Sequence, residues 1–407
     1  MVIEVVLGVS GGIAAYKACE LLRLFTESGH RVRVVPTAAA LKFVGAPTWA
    51  ALSGQPVSTE VWDDVHEVPH VRIGKSADLV VVAPATADVL AKAATGQADD
   101  LLTNTLLTAR CPVVYAPAMH TEMWEHPATV ENVATLRRRG AIVIEPAVGR
   151  LTGVDTGKGR LPDPQAIFAV ARGVLARPGQ QPDLAGRHVV VTAGGTREPI
   201  DPVRFIGNRS SGKQGYAFAR AAVARGARVT LVSANVALPD PAGTDVVRVG
   251  TTEELRQATL KAAEEADVVV MAAAPCDFRP AHYEAEKIKK KDGEDAPTLR
   301  LVANPDIAAE LGARKRADQV LVAFAAETAA EPVALANARQ KLLRKRADLI
   351  VVNEVGIDRT FGADDNAAIV LGAGIEPVQI GNRTKDDLAQ AVLDLVSSRL
   401  SHICENG

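Results

Sequence analysis

The stretch VIEVVLGVSGGIAAYKACELLRLFTESGHRVRVVPT, residues 2–37, contains an apolar run, a glycine-rich turn, a helical pattern and a second apolar run. Between Ile13 and Ser28, apolar residues recur every three or four positions, and Gly29 suits a helix end. Valine-rich runs that alternate with helices are typical of a parallel sheet covered on both faces. The stretch therefore predicts a strand–helix–strand unit of an α/β fold.

The same alternation occupies two regions of the 407-residue chain. Between them lies ARPGQQPDLAG, residues 176–186, which is rich in Pro, Gly and Gln and has no apolar period. We predict two doubly wound, parallel-sheet (Rossmann-like) domains over residues 1–172 and 187–402, joined by a linker over residues 173–186. In such sheets ligands bind beyond the carboxyl ends of the strands, so the turns after each strand are the candidate sites.

Composition argues against several partners. The 46 Lys and Arg and 48 Asp and Glu give a net charge of −2, and aromatic residues make up 4% of the chain. A near-neutral chain with few aromatic residues has no strong electrostatic or stacking affinity for nucleic acid or a membrane surface. The four cysteines are scattered, without a CxxC pair, and no apolar run approaches the roughly 18 residues that span a bilayer. We predict a cytoplasmic protein without a structural metal.

The first glycine-rich turn, GVSGGIAAYK, places Ser10, Gly11 and Gly12 between the first strand and helix. Small residues let backbone N–H groups approach an anion at a helix N-terminus. The spacing is not GxGxxG, and the second strand ends in Thr37 without an acidic residue. This disfavours a nicotinamide-dependent oxidoreductase and suits a mononucleotide phosphate such as that of FMN. A tight turn without a ligand is the alternative.

Four further segments of the first region contain candidate residues. APATADVL and the following GQADD place Thr86, Asp99 and Asp100 before helices, where simple capping by Thr86 and Asp99 is the alternative to ligand contact. His70 lies in a loop, where a structural role is the alternative to catalysis. VVYAPAMHTEMWEHP, residues 113–127, places His120 directly after an apolar strand.

The second region contains VTAGGTREPIDPVRFIGNRSSGKQG, residues 191–215. Gly207 to Lys213 matches GxxxxGK, but Gln214 stands where a P-loop needs Ser or Thr for magnesium. We therefore reject a Walker NTPase and predict a phosphate-binding loop instead. Its candidate donors are Asn208, Arg209, Ser210, Ser211 and Lys213, and a Gly/Ser surface loop is the alternative.

Two lysine clusters occur in the same region. AEKIKKKDG carries Lys287, Lys289, Lys290 and Lys291, which suit either a basic lid over a polyphosphate or a solvated surface. Lys341 and Lys345 are spaced i, i+4 near a predicted helix end. They either reach the same nucleotide or favour the helix C-terminus through its dipole.

Together these stretches resemble the bifunctional phosphopantothenoylcysteine decarboxylase / phosphopantothenate–cysteine ligase family, and in particular its actinobacterial branch. The likeness covers nearly the whole chain in order, and the ligase stretch is its most specific part. The matching motifs are LGVSGGIAAYK, ALSGQPV, PHVRIGKSADL, APATAD, PAMHTEMW, GTREPIDPVRFIGNRSSGK, KIKK, NPDI, FAAET and DNA.

For the first domain the resemblance implies a flavodoxin-like, FMN-binding cysteine decarboxylase. The implied reaction oxidises the substrate's terminal cysteine thiol to a thioaldehyde, releases CO₂ and returns the electrons to the product. His70 matches the family's catalytic histidine, and His120 lies at the substrate carboxylate. The implied FMN contacts are Ser10, Gly11, Gly12, Thr37, Pro84, Thr86, Asp100, Ala118 and Met119.

For the second domain the resemblance implies a CTP- and Mg²⁺-dependent ligase. It joins 4′-phosphopantothenate to cysteine through an acyl-cytidylate, and the product goes on to 4′-phosphopantetheine for coenzyme A. Arg204 and Asn208 match residues at the acyl-cytidylate, and Lys289 matches a conserved lysine. Further implied substrate or CTP contacts are Ser210, Ser211, Gly212, Lys213, Ala274, Asp277, Lys287, Phe324, Lys341 and Lys345. The family also implies a homo-oligomer, with trimers of the flavin domain and dimers of the ligase domain forming a dodecamer.

The chain departs from the family pattern at three places. His120 replaces an asparagine that holds the substrate carboxylate in many members. The flap segment GRLTGVDTGKGR lacks the usual proton-donating cysteine, so Thr152, Asp155 or a water would replace it. Pro275 stands in AAAPCDFRP and removes a backbone N–H near the nucleotide. A specialised or single-activity paralogue and a non-catalytic flavin-binding regulator are therefore the alternatives.

Overall fold

The computed structural model describes residues 2–57, 69–151, 155–289, 298–327, 331–354 and 364–406. Backbone contacts divide the chain into two compact units. The first comprises Met1–Gly186, Ala222–Arg228 and Pro241–Gly243, and the second comprises the rest of the chain. None of the helices in the described ranges has the length and apolar content needed to cross a bilayer.

A five-stranded sheet forms the centre of the N-terminal half. Its strand order is β2-β1-β3-β4-β5 and every pairing is parallel, which confirms the predicted flavodoxin-like fold. A separate antiparallel hairpin, β6–β7, follows the sheet. The elements are β1 (Glu4–Val9), α1 (Ala15–Glu27), β2 (Arg31–Pro36), α2 (Ala46–Ser53), α3 (Pro69–Ser76), β3 (Leu79–Ala85), α4 (Ala87–Thr95), α5 (Leu101–Thr108), β4 (Val113–Pro117), α6 (Thr121–Glu125), α7 (Pro127–Arg138), β5 (Ile142–Val143), β6 (Ala147–Arg150), β7 (Thr156–Arg160) and α8 (Pro164–Leu175).

Of the two helix caps that the sequence suggests in this half, one is confirmed and one is wrong. Thr86 caps α4 by accepting a hydrogen bond from Val89 N. Asp100, not Asp99, caps α5, because its carboxylate accepts from Thr103 N at 2.7 Å. Asp99 instead pairs with Lys92 at 3.0 Å, so the prediction that Asp99 caps the helix was wrong. The last turn of α8 occupies residues 173–175 of the predicted linker.

An eight-stranded sheet forms the centre of the C-terminal half, in the order β12-β11-β8-β13-β16-β17-β18-β19. Its core is lined by valine, leucine, isoleucine and alanine side chains from the central strands and from α10, α11 and α12. The elements are β8 (His188–Gly194), β9 (Arg197–Pro199), β10 (Phe205–Gly207), α9 (Lys213–Ala224), β11 (Arg228–Ala234), β12 (Thr244–Val249), α10 (Thr252–Ala263), β13 (Val268–Met271), β14 (Phe278–Pro280), β15 (Leu301–Ala303), α11 (Ile307–Arg314), β16 (Val320–Glu327), α12 (Glu331–Arg344), β17 (Leu349–Glu354), β18 (Asp365–Gly372), β19 (Ile375–Thr384) and α13 (Lys385–Asn406).

The last two strands correct the expectation of a wholly parallel second sheet. β18 runs antiparallel to β17, and β19 runs antiparallel to β18. Only Ala373 and Gly374 connect β18 to β19, and Gly374 has a φ of 77°. A two-residue connection permits a hairpin but leaves no room for the crossover helix that a parallel pair requires.

Candidate functional site

Ser10 ties together two loops at the carboxyl edge of the first sheet. Its side chain is buried, with Oγ donating to the Pro84 carbonyl at 2.7 Å and accepting from Thr86 N at 3.0 Å. The Ser10 backbone N–H also donates to the Pro84 carbonyl, at 3.2 Å. The Ser10 hydroxyl therefore fixes the relative positions of the loops after β1 and β3.

The glycine turn after Ser10 forms an open cradle. A Cβ atom on Gly11 would lie 2.4 Å from the Cβ of Ala39, whereas one on Gly12 would meet only the Thr86 methyl group, at 3.9 Å. Within the described residues, the backbone N–H groups of Gly11, Gly12 and Ile13 donate to no other group. Free N–H groups in the turn just before α1 are donors of the kind that a phosphate requires. The cradle thus fits the phosphate of FMN.

The other polar side chains predicted to contact the flavin, those of Thr37, Thr86 and Asp100, each form a hydrogen bond to a nearby backbone N–H group. The Thr37 hydroxyl accepts from Ala40 N at 3.2 Å, and its own N–H donates to the Val9 carbonyl at 2.9 Å. Thr86 caps α4 and Asp100 caps α5, as described above. Thr37 and Thr86 lie directly after β2 and β3, beside the glycine cradle, so capping also shapes this edge of the sheet.

The loop after β4 carries Ala118, Met119 and His120, and the hairpin β6–β7 lies directly on it. Ala118 N donates to the Ala85 carbonyl at 3.1 Å, and Met119 N donates to the Gly159 carbonyl at 2.9 Å. A Cβ atom on Gly159 would lie 2.2 Å from the Met119 carbonyl oxygen. The hairpin therefore needs glycine at this position to approach the loop.

His120 has an available imidazole beside this hairpin. It is exposed and occupies the N-cap position of α6 without a side-chain capping bond. Leu151 N donates to the Asp155 carbonyl at 2.8 Å, which brings Asp155 to the hairpin turn, where its side chain is exposed. Thr152, the other candidate proton donor, lies outside the described residues.

A partly buried carboxylate anchors the hairpin. Glu145 pairs with Arg137 of α7 at 2.6 Å and with Lys158 of β7 at 2.9 Å. Burial raises the pKa of Glu145, but the two cations outweigh this effect, so the net pKa lies below its ordinary value. The charged carboxylate is thus the form that holds β7 against α7.

In the described part of the chain, the hydrogen bond that His70 makes is to α5 and not to these loops. His70 lies in the first turn of α3, and its carbonyl accepts from Thr108 Oγ1 at 2.8 Å, at the end of α5 opposite to Asp100. Gly74 allows this close packing, since a Cβ atom there would lie 2.2 Å from Thr108 Oγ1. Nδ1 of His70 is buried without a hydrogen-bond partner among the described residues.

Asp201 organises the predicted ligase residues and was not singled out in the sequence. Its buried carboxylate accepts from Val203 N at 2.8 Å, Arg204 N at 2.7 Å, Arg204 Nη1 at 2.6 Å and Ile288 N at 3.2 Å. Arg204 Nη1 also donates to the Ile288 carbonyl at 3.1 Å. This network places Arg204 beside the segment that carries Lys287 and Lys289, both of which are exposed. The sequence does contain a signal for this role, because Asp201 lies two residues after a proline, at the start of a turn.

The pKa of Asp201 lies below its ordinary value. Burial raises it, but the three backbone N–H donors and the Arg204 guanidinium together outweigh the effect of burial. The Asp201 carboxylate therefore stays charged and keeps Arg204 in one orientation.

Asn208 connects the predicted phosphate-binding loop, Gly207–Lys213 (the phosphate loop), to the segment around Pro275. Its Nδ2 donates to the carbonyl of Pro275 at 2.9 Å and to that of Ala274 at 3.3 Å. The neighbouring Cys276 is buried, its N–H donates to Thr196 Oγ1 at 2.8 Å, and burial raises the pKa of its thiol. Pro275 lacks an N–H, but its carbonyl orients the Asn208 amide.

Two adjoining cavities lie beside the phosphate loop. One, of about 300 Å³, is lined by the loop residues Ser210 to Lys213 and by Ala274, Asp277, Phe324 and Lys345, all predicted site residues. The other, of about 240 Å³, shares Asp277, Phe324 and Lys345 with the first and adds Lys341. Arg204, Asn208, Lys287 and Lys289 do not line either cavity. Polar cavity residues that were not predicted as contacts include Asn304 and Asn366, which lie within the NPDI and DNA motifs, and Asn353 and Lys385, which lie outside every motif.

Charged pairs fix the cavity lysines. Lys213 Nζ lies 2.7 Å from Asp364 Oδ1, and Lys345 Nζ lies 2.8 Å from Asp306 Oδ1. The pKa of Asp364 lies below its ordinary value, chiefly because of its hydrogen bond with Lys213. The described residues contain no group of three His, Cys, Asp or Glu arranged to hold a metal ion.

Both halves match family models, in the order that the sequence predicts. Residues 2–175 match the model described as flavoprotein, and residues 184–400 match the DNA/pantothenate metabolism flavoprotein C-terminal domain. Curated relatives include the coenzyme A biosynthesis bifunctional protein CoaBC of Mycolicibacterium smegmatis, which is 57% identical over 98% of both chains. The Mycobacterium tuberculosis protein of that name is 57% identical over 98% of this chain and 97% of its own. The Bacillus subtilis protein is 44% identical over 90% of both chains. The chain therefore belongs to the family of bifunctional coenzyme A biosynthesis proteins, with a flavoprotein domain followed by a pantothenate-metabolism domain.

Proposed function

We propose that this chain converts 4′-phosphopantothenate to 4′-phosphopantetheine in two steps, at two separate sites. The ligase, residues 187–402, joins the substrate to cysteine with CTP, and the decarboxylase, residues 1–172, then removes the cysteine carboxylate. The observation that carries the proposal is a glycine-containing loop just before a helix in each half, the first with free backbone N–H groups and the second lining a cavity. The proposed compartment is the cytoplasm.

The first site suits FMN. The N–H groups of Gly11, Gly12 and Ile13 would hold its phosphate, and Thr37, Pro84, Thr86, Ala118 and Met119 would line the rest of the pocket, with Asp100 fixing the start of α5. When bound, FMN supplies reversible two-electron chemistry at the thiol-bearing carbon, so that the carboxylate leaves as CO₂ without net oxidation.

His120 would bind the carboxylate that is about to leave. It is exposed beside the loop after β4, and the hairpin β6–β7 covers that loop. A protonated imidazole would pair with the carboxylate through two possible donors, whereas a neutral imidazole would donate through one nitrogen. The proton that completes the product would come from Thr152, Asp155 or a water, since the flap has no cysteine.

We propose that His70 reaches the flavin from a second copy of the chain. His70 contacts Thr108 at one end of α5, whereas Asp100 caps the other end. The eight residues of α5 span about 12 Å. The unpartnered Nδ1 is consistent with a group that meets its partner only in an assembly. Trimers of the flavin domain, combined with dimers of the ligase domain, would give the dodecamer that the family resemblance implies.

The second site would form the amide in two displacements. A substrate carboxylate oxygen attacks the α-phosphorus of CTP and pyrophosphate leaves; the cysteine amine then attacks the acyl carbon and CMP leaves. Ser210, Ser211, Gly212 and Lys213 would hold phosphates, while Ala274, Asp277, Phe324, Lys341 and Lys345 would hold the nucleotide, together with Lys287. Arg204 and Asn208 would bind the acyl-cytidylate, and Lys289 would neutralise charge on the transferred phosphate. Mg²⁺ would enter with the CTP phosphates.

A changed ligase substrate is the second candidate function. Pro275 lines the larger cavity and contributes no N–H there, so a ligand group that needs this donor would bind less well. A ligase that accepts a different acid would fit the same fold.

The flavin site is tested by cofactor content. We expect the purified protein to show a flavin absorption spectrum with FMN near one per chain. Gly11→Val should lose FMN, because its side chain would collide with Ala39, while CMP formation continues. Gly45→Ala in the same half is the control, since its nearest neighbour would be 3.6 Å away. A wild-type protein that stays colourless after incubation with FMN would overturn the proposal for this half.

A further inference from the structure

Lys385 is a buried lysine that lines the larger of the two cavities beside the predicted phosphate-binding loop. It is the first residue of α13 and is 7% exposed. It lines the same cavity of about 300 Å³ as the phosphate-loop residues Ser210 to Lys213, although 171 positions separate it from Gln214. Only the folding of the sheet brings α13 to this loop.

Hydrogen bonds to the backbone of Lys385 hold this residue beside the phosphate loop. Gln214 Nε2, at the start of α9, donates to the Lys385 carbonyl at 3.2 Å. The Lys385 N–H donates to the Asp364 carbonyl at 3.1 Å, and the Asp364 carboxylate pairs with Lys213. The two lysines are therefore held in one network around the cavity.

The charges around Lys385 favour an anionic ligand. Burial is the largest cause that lowers the pKa of Lys385, and the positive charge of Lys213 lowers it further; Asp364 and Asp365 act in the opposite direction. Two ammonium groups in one cavity repel each other, and a phosphate between them would remove that repulsion. The Asp364 side chain, which pairs with Lys213, is 91% exposed and thus a screened counter-ion.

Further polar atoms converge on the same cavity. Asn353, at the end of β17, lines it, and its Oδ1 is buried without a hydrogen-bond partner among the described residues. Asn366 of β18 lines it as well. A buried acceptor without a partner is costly in the unliganded protein and is satisfied when a ligand hydroxyl or N–H enters.

We propose that Lys385 binds a phosphate group of a ligase substrate together with Lys213. The phosphate belongs either to the terminal phosphates of CTP or to the phosphomonoester of 4′-phosphopantothenate, since both present the same chemistry to the two ammonium groups. The inference rests on the proposed ligase function and adds a residue that neither the sequence motifs nor the family resemblance singled out.

Binding measurements on the full-length, FMN-loaded protein test this assignment. Titration calorimetry gives the affinities for CTP and CMP, and for 4′-phosphopantothenate and pantothenate. We expect wild-type protein to prefer the more phosphorylated member of each pair. Lys385→Met should reduce one preference about tenfold or more, because a charge-assisted contact to phosphate is lost. Lys385→Arg should keep most of it, and Lys261→Met, on the exposed face of α10, is the control.

The ligand pair for which the affinity difference disappears identifies the source of the phosphate: CTP against CMP, or 4′-phosphopantothenate against pantothenate. If the melting temperature of Lys385→Met lies below that of the Lys261→Met control, Lys385→Gln is used instead as the uncharged variant. Wild-type preferences retained in a folded neutral variant would overturn the assignment of Lys385. A wild-type protein that binds neither CTP nor 4′-phosphopantothenate would instead refute the proposed ligase function, before any variant is compared.

Discussion

Replacing His70 with asparagine is expected to abolish CO₂ release and to leave CMP formation unchanged. A positioned histidine that moves a proton contributes about 10²- to 10⁴-fold to a rate, so CO₂ release should fall by at least about a hundredfold. The fold should tolerate the change, because the bond from Thr108 goes to the His70 backbone carbonyl and Nδ1 has no partner among the described residues. The measurement supplies 4′-phosphopantothenoylcysteine directly and follows CO₂.

His126→Asn is the matched control for this experiment. His126 caps α7 through Nδ1, at 3.2 Å from Ala128 N, and asparagine is also a good capping residue. The control should keep both activities, and both variants should keep FMN. Loss of CMP formation together with CO₂ release in His70→Asn would contradict the division of the two reactions between separate sites.

Replacing Asn208 with alanine is expected to produce the opposite result. CMP formation should fall by about 10²- to 10³-fold, the usual effect of removing a preorganised polar group at a reacting centre. The asparagine amide is oriented by the Ala274 and Pro275 carbonyls, which leaves its oxygen for the acyl-cytidylate or the incoming amine. CO₂ release from supplied 4′-phosphopantothenoylcysteine should stay at the wild-type rate. Single-turnover assays of CMP and CO₂ separate the two effects.

Asn382→Ala provides the control for this second variant. Asn382 lies on β19 and makes an exposed bond to Asp365 at 3.0 Å, so its removal should leave CMP formation intact. If Asn208→Ala formed CMP at the wild-type rate, the role of the Asn208 side chain at the acyl-cytidylate would be refuted.

The local pattern of the sequence was sufficient to predict most of the fold. The helix predicted between Ile13 and Ser28 is α1, and the flavodoxin-like order of the first sheet is confirmed. The capping residue of α5 was wrong by one position, because Asp99 and Asp100 are equivalent as capping residues and only the pairing of Asp99 with Lys92 separates them. The antiparallel hairpin β18–β19 was missed because the preceding strands alternate with helices and are parallel. The short loop at Gly374 leaves no room for another crossover helix and makes this last pair antiparallel.

The residues that were missed depend on tertiary contacts. Asp201 acts through Arg204 and Ile288, the latter 87 positions away, and Lys385 meets the phosphate loop only after α13 has packed against the sheet. No spacing rule links such residues before the fold is known. The family membership, by contrast, followed from contiguous motifs, and the two family models and the mycobacterial relatives confirm it.

The most direct test of two reactions in one chain is a coupled assay on the FMN-loaded, full-length protein. It receives 4′-phosphopantothenate, cysteine, CTP and Mg²⁺, and CMP and CO₂ are measured separately in the same sample. We expect both products to form and to reach equal final amounts, with CMP appearing first. CMP without CO₂ would show a ligase whose decarboxylase half is inactive with His120 and a flap without cysteine. Formation of neither product would refute the proposed two-step conversion and would point to a different substrate.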